Sequence, residues 1–345
     1  MLHGDANAFF NKKRGGPIID VGQDLKLNFC LTTAAPPFTL SPDQAVRPLT
    51  MTETLQKIEE FKSMIAGQSR LRLVLNRNDL KKAILDGKIG VVLGLQNTPS
   101  GVNPQTLFDA GIRVMALAYY EENDIGSGFL NGGIKLKKFG EKVIVKCADI
   151  GMIIDFSHVG HQTALDSLFF IKTEGLSCRV MASHSGCVSR YHHMRNILDK
   201  TMTGIVNLGG VVGITTITFN LAEFNPKKKK SEVCNFLNHL EYAVKICGPN
   251  SIVIGSDAIY GNRTKEEGEE EMKKLAPRAD PLDLQGIRFP ENIYEGAGLL
   301  KKINEDLEIS IYPHVQPALH DIDPKFIEGI MGKNLFNFFE QALPA

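Results

Sequence analysis

Two apolar runs, Gly151-Met-Ile-Ile-Asp-Phe-Ser-His158 and Cys178-Arg-Val-Met-Ala-Ser-His184, each finish in Ser-His, and their histidines stand 26 residues apart. That spacing accommodates one strand, one helix and the return into the next strand. It sets two imidazoles side by side at the carboxyl ends of neighbouring parallel strands, where α/β folds place their chemistry. Near the start of the chain stands His3-Gly4-Asp5, whose imidazole and carboxylate share a face if the segment is extended. Imidazole nitrogens joined by a His/Asp pair suit one or two divalent metal ions.

Working outward, strand-like and helix-like segments alternate along the chain. Strand-like runs are read at Met1–Asp5, Leu25–Ala34, Gly90–Gln96, Arg113–Tyr119, Met152–Ser157, Arg179–Ser183, Gly209–Ile217 and Ser251–Ser256. Helices are expected at Met51–Ile65, Pro104–Ala110, Phe139–Ile150, His161–Lys172, Leu198–Asn207 and Glu232–Cys247, with a shorter strand and helix at Arg70–Asn76 and Asp79–Asp86. Eight β-runs with helical spacers favour a closed (β/α)8 TIM barrel of the metal-dependent hydrolase type over an open sheet. No dinucleotide or phosphate-loop glycine fingerprint follows any of them. Asn123–Gly133, rich in glycine, reads as an active-site loop, and Asp323–Leu343 as an amphipathic helical extension. Residues 1–345 are therefore expected to form a single barrel domain with that extension at its C-terminus.

Composition narrows the function. Lys+Arg and Asp+Glu both number 39 in 345 residues, which argues against a partner that is nucleic acid or an anionic membrane surface. The basic run Lys227–Lys230 reads as a solvated loop, and the acidic, polar stretch Asn262–Asp283 as exposed. Six cysteines are scattered through apolar segments without a Cys-x-x-Cys pair, so neither a thiolate zinc site nor a redox pair is indicated. The first residues carry no basic stretch followed by an apolar core, and no apolar run approaches ~20 residues. A cytoplasmic protein with reduced thiols is expected.

Placing polar residues at strand ends gives an ordered set: His3 and Asp5, Gln96, Tyr119, Ser157-His158, Ser183-His184, Arg195-Asn196 and Gly255-Ser256-Asp257. Taken singly, a Ser-His is as readily a buried histidine making one hydrogen bond, and Arg195 could simply pair with Asp199 at i+4. Taken together, the set resembles the membrane (renal) dipeptidase family of amidohydrolase-like barrels. That family has His-x-Asp on strand one, a bridging acid on strand three, Ser-His on strands five and six, Arg-Asn after the second, and Gly-x-Asp closing the last strand. The resemblance implies a zinc site of one or two ions, other divalent metals being acceptable, with His3, Asp5, His158 and His184 as ligands and Gln96 at the bridging position. A glutamine is neutral where a glutamate would carry charge, which makes two dications harder to hold.

The same resemblance puts Tyr119 where a histidine polarises the substrate carbonyl, Asp257 as the proton carrier, and Arg195 with Asn196 on the substrate's carboxylate. The implied activity is hydrolysis of dipeptides by metal-activated water, and relatives suggest a homodimer. Two alternatives stay open at this point. One is a catalytically impaired barrel with a ligand-binding or interaction role; the other is a different amidohydrolase-type reaction such as deamination or lactone hydrolysis.

Overall fold

A computed structural model describes residues 2–12, 19–20, 27–40, 46–217, 220–222, 231–260 and 326–345. The basic run 227–230 and the acidic stretch 262–283 lie outside the described residues. Eight parallel strands form the wall: β1 (Gly4–Lys12), β2 (Phe29–Thr33), β3 (Ile89–Leu95), β4 (Ile112–Ala116), β5 (Ile153–Asp155), β6 (Val180–Ser185), β7 (Val211–Ile214) and β8 (Ile252–Ile254). Each pairs with the next in chain order, and the chain beyond β8 resumes as Ala258–Tyr260 alongside β1, with Ala8 opposite Ala258. The sheet thus closes on itself as a (β/α)8 barrel, which removes its edges. A short strand, Leu71–Val74, pairs with the first half of β3.

The outer helices are α1 (Met51–Ala66), α2 (Arg77–Leu85), α3 (Pro104–Asp109), α4 (Lys138–Ile150), α5 (His161–Thr173), α6 (Asp199–Asn207) and α7 (Ser231–Cys247). Their starts follow local chemistry. Thr50 and Glu53 form a reciprocal capping box on α1, Asn76 caps α2, and Asn103 caps α3 ahead of Pro104. None of the helices among the described residues is long and apolar enough to cross a membrane.

A last helix, α8 (Asn334–Ala342), turns under the barrel. Its Leu335, Phe338 and Phe339 join Phe29, Val92, Val114, Met181 and Val253 in one apolar cluster at the amino ends of the strands. Fully burying a side chain such as Phe339 stabilises by about 2–3 kcal/mol. The Asn334 amide bonds the carbonyls of Pro249 and Ile252, which fixes α8 to the start of β8. The floor is therefore closed by α8.

One sequence expectation is corrected here. Met1–Asp5 was expected to be the tail of the first strand, whereas β1 begins at Gly4 and runs to Lys12. Gly4 to Ala8 are buried on both faces, and Ala8, Phe9 and Phe10 pair with Ala258, Ile259 and Tyr260, so the strand continues past Asp5.

Candidate active site at the carboxyl mouth of the barrel

His158 and His184 meet. Their Nε2 atoms lie 3.0 Å apart and both rings are buried. His184 belongs to β6, while His158 follows β5 in a turn with φ of 68°. Asp257, after β8, has φ of 58°, and these are the two non-glycine residues with positive φ among the described residues. Backbone held in this region is costly and concentrates where side chains must be aimed.

The backbone below them is packed tightly. A Cβ on Gly213 or Gly255 would come within 1.9 or 1.8 Å of the Ser183 carbonyl oxygen, so both positions need glycine for that close approach. Asp257 is partly buried, with its Oδ1 at 3.9 Å from His184 Nε2. The same oxygen accepts from Asn7 Nδ2 at 2.6 Å and from Gln96 Nε2 at 3.5 Å. Burial pushes the Asp257 carboxyl up to about 6, against the lowering effects of Arg195 and the Gln96 hydrogen bond.

Burial, reinforced by the charge of Arg195, holds His158 and His184 well below the usual imidazole range, so both are neutral at pH 7. Arg195 is itself buried, donating to the His184 carbonyl at 3.3 Å and the Ser185 hydroxyl at 3.5 Å. Tyr119 stacks on His158 with ring centroids 3.9 Å apart, and Phe129 from the glycine-rich loop lies 5.8 Å from the same imidazole. That loop is tied to the His158 turn by Gly160 N donating to the Ser127 carbonyl at 2.7 Å.

The structure does not bring His3 to this mouth. Its backbone pairs with Asn28 just before β2, beside the Gly332 turn that leads into α8. At ~3.3 Å per residue, His3 lies roughly 13 Å of strand below Asn7. The expected His3/Asp5 pair was thus set too early along β1, because the strand continues past it. Asp5 is buried and faces β8: its Oδ1 accepts from the backbone N–H of Asn7 and of Ser256, both at 2.9 Å, and its Oδ2 from the Ser256 hydroxyl. The strand-one residue that reaches the mouth is Asn7, which sequence reasoning missed.

Asn196, expected on the substrate, instead donates its amide to the carbonyls of Tyr191 and Asn220 and braces its loop. Its Oδ1 occupies the space a Cβ on Gly186 would need.

Among the described residues, no three histidine, cysteine, aspartate or glutamate side chains converge as a ready cation cage. Two neutral imidazoles with facing Nε2 atoms do fit the nitrogen half of a single-ion site, with Asp257 at its edge. A second ion does not fit. Strands one and three offer the amides of Asn7 and Gln96, and both are turned as donors onto Asp257.

A sequence profile of the membrane dipeptidases (peptidase family M19) matches residues 32–277, a span that starts after β1. An uncharacterized dipeptidase of Schizosaccharomyces pombe is 25% identical over 217 residues, which is 59% of this chain and 50% of that protein's own length. The chain therefore spans about half of that relative. Among solved structures, an amidohydrolase from Pseudomonas aeruginosa superposes with a TM-score of 0.72 at 18% identity, covering 99% of this chain and 96% of that one. A metallopeptidase from Rhodobacter sphaeroides, crystallised with a phosphinate mimic of the dipeptide L-Ala-D-Ala, gives 0.67 at 14% identity with 99% of each chain covered. At such identities the solved structures establish the barrel fold.

Proposed function

We propose, from the premise that this chain belongs to the membrane dipeptidase family, that it is a metal-dependent dipeptidase with its reaction centre at the carboxyl mouth of the barrel. The observation that carries this reading is the facing pair of neutral imidazoles, His158 and His184, with Asp257 and Arg195 beside them. His158 and His184 would hold one divalent cation, zinc being our assignment, with Asp257 as the adjoining oxygen donor. Such an ion, when bound, supplies a water of pKa near ~7 and polarises a carbonyl.

The remaining roles belong to the chain. Arg195 presents a guanidinium fork to the substrate's terminal carboxylate. The Tyr119 hydroxyl donates to the carbonyl oxygen of the scissile peptide. The Asp257 carboxylate accepts a proton at Oδ and returns it to the leaving amine. The dipeptide mimic bound by the Rhodobacter relative supports a dipeptide-sized substrate here. Residues 1–345 are taken as one barrel domain. A cytoplasmic site of action agrees with the free thiols of Cys30, Cys147, Cys178, Cys187 and Cys247. A homodimer is proposed from the resemblance alone.

One observation favours a second reading. Gln96 stands where the family pattern has a bridging acid, and Asn7 and Gln96 meet the mouth as neutral amides donating to Asp257, as in a barrel that binds its ligand without turning it over. Metal-stripped protein reloaded separately with zinc, manganese or cobalt separates the two, by elemental analysis and by amino-acid release from L,L and L,D dipeptides. One ion per chain with turnover, both lost in His184→Ala, is expected. No ion and no turnover would establish the binding-only reading, and two ions per chain would overturn the single-ion site.

A further inference from the structure

Behind His184 lies a buried carboxylate that the reaction does not use. Asp155, at the end of β5, is 3% exposed. Its Oδ1 accepts from the backbone N–H groups of Ser157 at 2.9 Å and Ser183 at 2.8 Å, and its Oδ2 accepts from the Ser183 hydroxyl. The Ser183 Oγ is also 2.7 Å from His184 Nδ1. A serine hydroxyl carries one hydrogen, and here the Asp155 carboxyl, His184 Nδ1 and, more distantly at 3.3 Å, Ser157 Oγ compete for it. The Asp155 oxygen makes the shortest of these contacts and takes the hydrogen; burial pushes that carboxyl up, while the hydrogen bonds from Ser183 and Ser157 act to lower it. The hydrogen in the Ser183–His184 contact must then come from the imidazole.

We propose that Asp155 is a positioning residue: through Ser183 Oγ it holds His184 with hydrogen on Nδ1 and a bare Nε2 lone pair aimed into the mouth. A ligand histidine needs that tautomer, and a partner on the far ring nitrogen sets it. The same construction stands across the barrel. Asp5 takes the N–H of Asn7, two residues on, and the N–H and hydroxyl of Ser256 on β8's continuation, so that Asp257 follows Ser256 as His184 follows Ser183. Two strand pairs using one device indicate that aiming the residue after the serine is its purpose. In both, the carboxylate grips the backbone and hydroxyl of the serine that precedes a residue at the mouth.

The sharpest perturbation is Asp155→Asn, which keeps the shape and reverses the hydrogen bond. The introduced amide N–H donates to Ser183 Oγ, whose own hydrogen then turns to His184 Nδ1; the imidazole releases its Nδ1 proton to water and takes one from water at Nε2. Long-range proton–nitrogen NMR on metal-free, histidine-labelled full chain reads this directly, with His184→Gln assigning the signal. The wild type is expected to show Nδ1–H at His184, and Asp155→Asn to show Nε2–H. Zinc affinity, which rests on the metal reading above, should fall by roughly 10–100-fold. The tautomer measurement stands whether or not zinc binds, so failure of the metal reading and failure of this one are told apart. A wild-type His184 with hydrogen on Nε2, or Asp155→Asn with Nδ1–H retained, overturns the proposal. Should Asp155→Asn not fold, Ser183→Ala decides: loss of the single Nδ1–H pattern supports the relay, and its persistence refutes it.

Discussion

Replacing Gln96 with glutamate sets a second carboxyl beside Asp257, whose Oδ1 now lies 3.5 Å from the Gln96 amide nitrogen. Two ionised carboxylates at that separation repel by about 5 kcal/mol at an effective dielectric of ~20. Protonating Asp257 instead, from a starting value of about 6, costs about 1.4 kcal/mol at pH 7. The cheaper course wins, so the variant takes up a proton rather than tolerating the charge pair. Its metal-free form should be about 1–2 kcal/mol less stable at pH 7, roughly 1–3 °C in Tm for a chain of this size. The sign with pH follows: the folded variant holds a proton that the unfolded chain, with carboxyls near ~4, has released, so the penalty grows as pH rises from about 6 to 8.5. A divalent ion beside the pair favours both ionised carboxylates, so zinc should restore the lost stability and bind more tightly than in wild type. Thermal melts in chelator and in zinc across this pH range, with zinc titration calorimetry, make the test. A variant with the wild-type Tm in chelator at every pH, and the same zinc response, would refute the juxtaposition of residues 96 and 257.

Other perturbations test the surroundings of the site. Gly255→Ala drives a Cβ to 1.8 Å from the Ser183 carbonyl and should cost about 2–4 kcal/mol in urea unfolding; a loss under ~0.5 kcal/mol would mean that β6 and β8 are not in this contact. His239 is pushed down to about 4, mainly by burial, while its Nδ1 accepts from Cys187 N and its Nε2 donates to the Leu221 carbonyl. Its contribution is present above the unfolded value of ~6.5 and declines as pH falls toward 4, by about 2 kcal/mol at pH 5. His239→Gln should therefore flatten the stability–pH slope in that window, and an unchanged slope would count against it. Arg195→Lys should raise KM for free dipeptides by about tenfold or more and leave C-terminally amidated substrates little changed; an equal effect on both would remove Arg195 from the carboxylate.

Much of this architecture was legible in one dimension. The alternation of apolar runs with amphipathic helices carried the barrel, and the spacing of Ser157-His158 and Ser183-His184 carried the meeting of two imidazoles. Both are local properties, since helix and strand periods and short connections are set by near neighbours in the chain. Tertiary structure decided what depends on register between distant strands. Only the pairing of Ala8 with Ala258 reveals that Asn7, and not His3, reaches the mouth. Only the approach of β5 to β6 and of β1 to β8's continuation shows Asp155 and Asp5 gripping serines 28 and 251 residues away. A shift of register along β1 changes which side chain stands at the rim while leaving the local pattern of the segment unaltered, so the chain's own periodicity cannot choose among registers. The hydrogen bonds and close packing between strands make that choice.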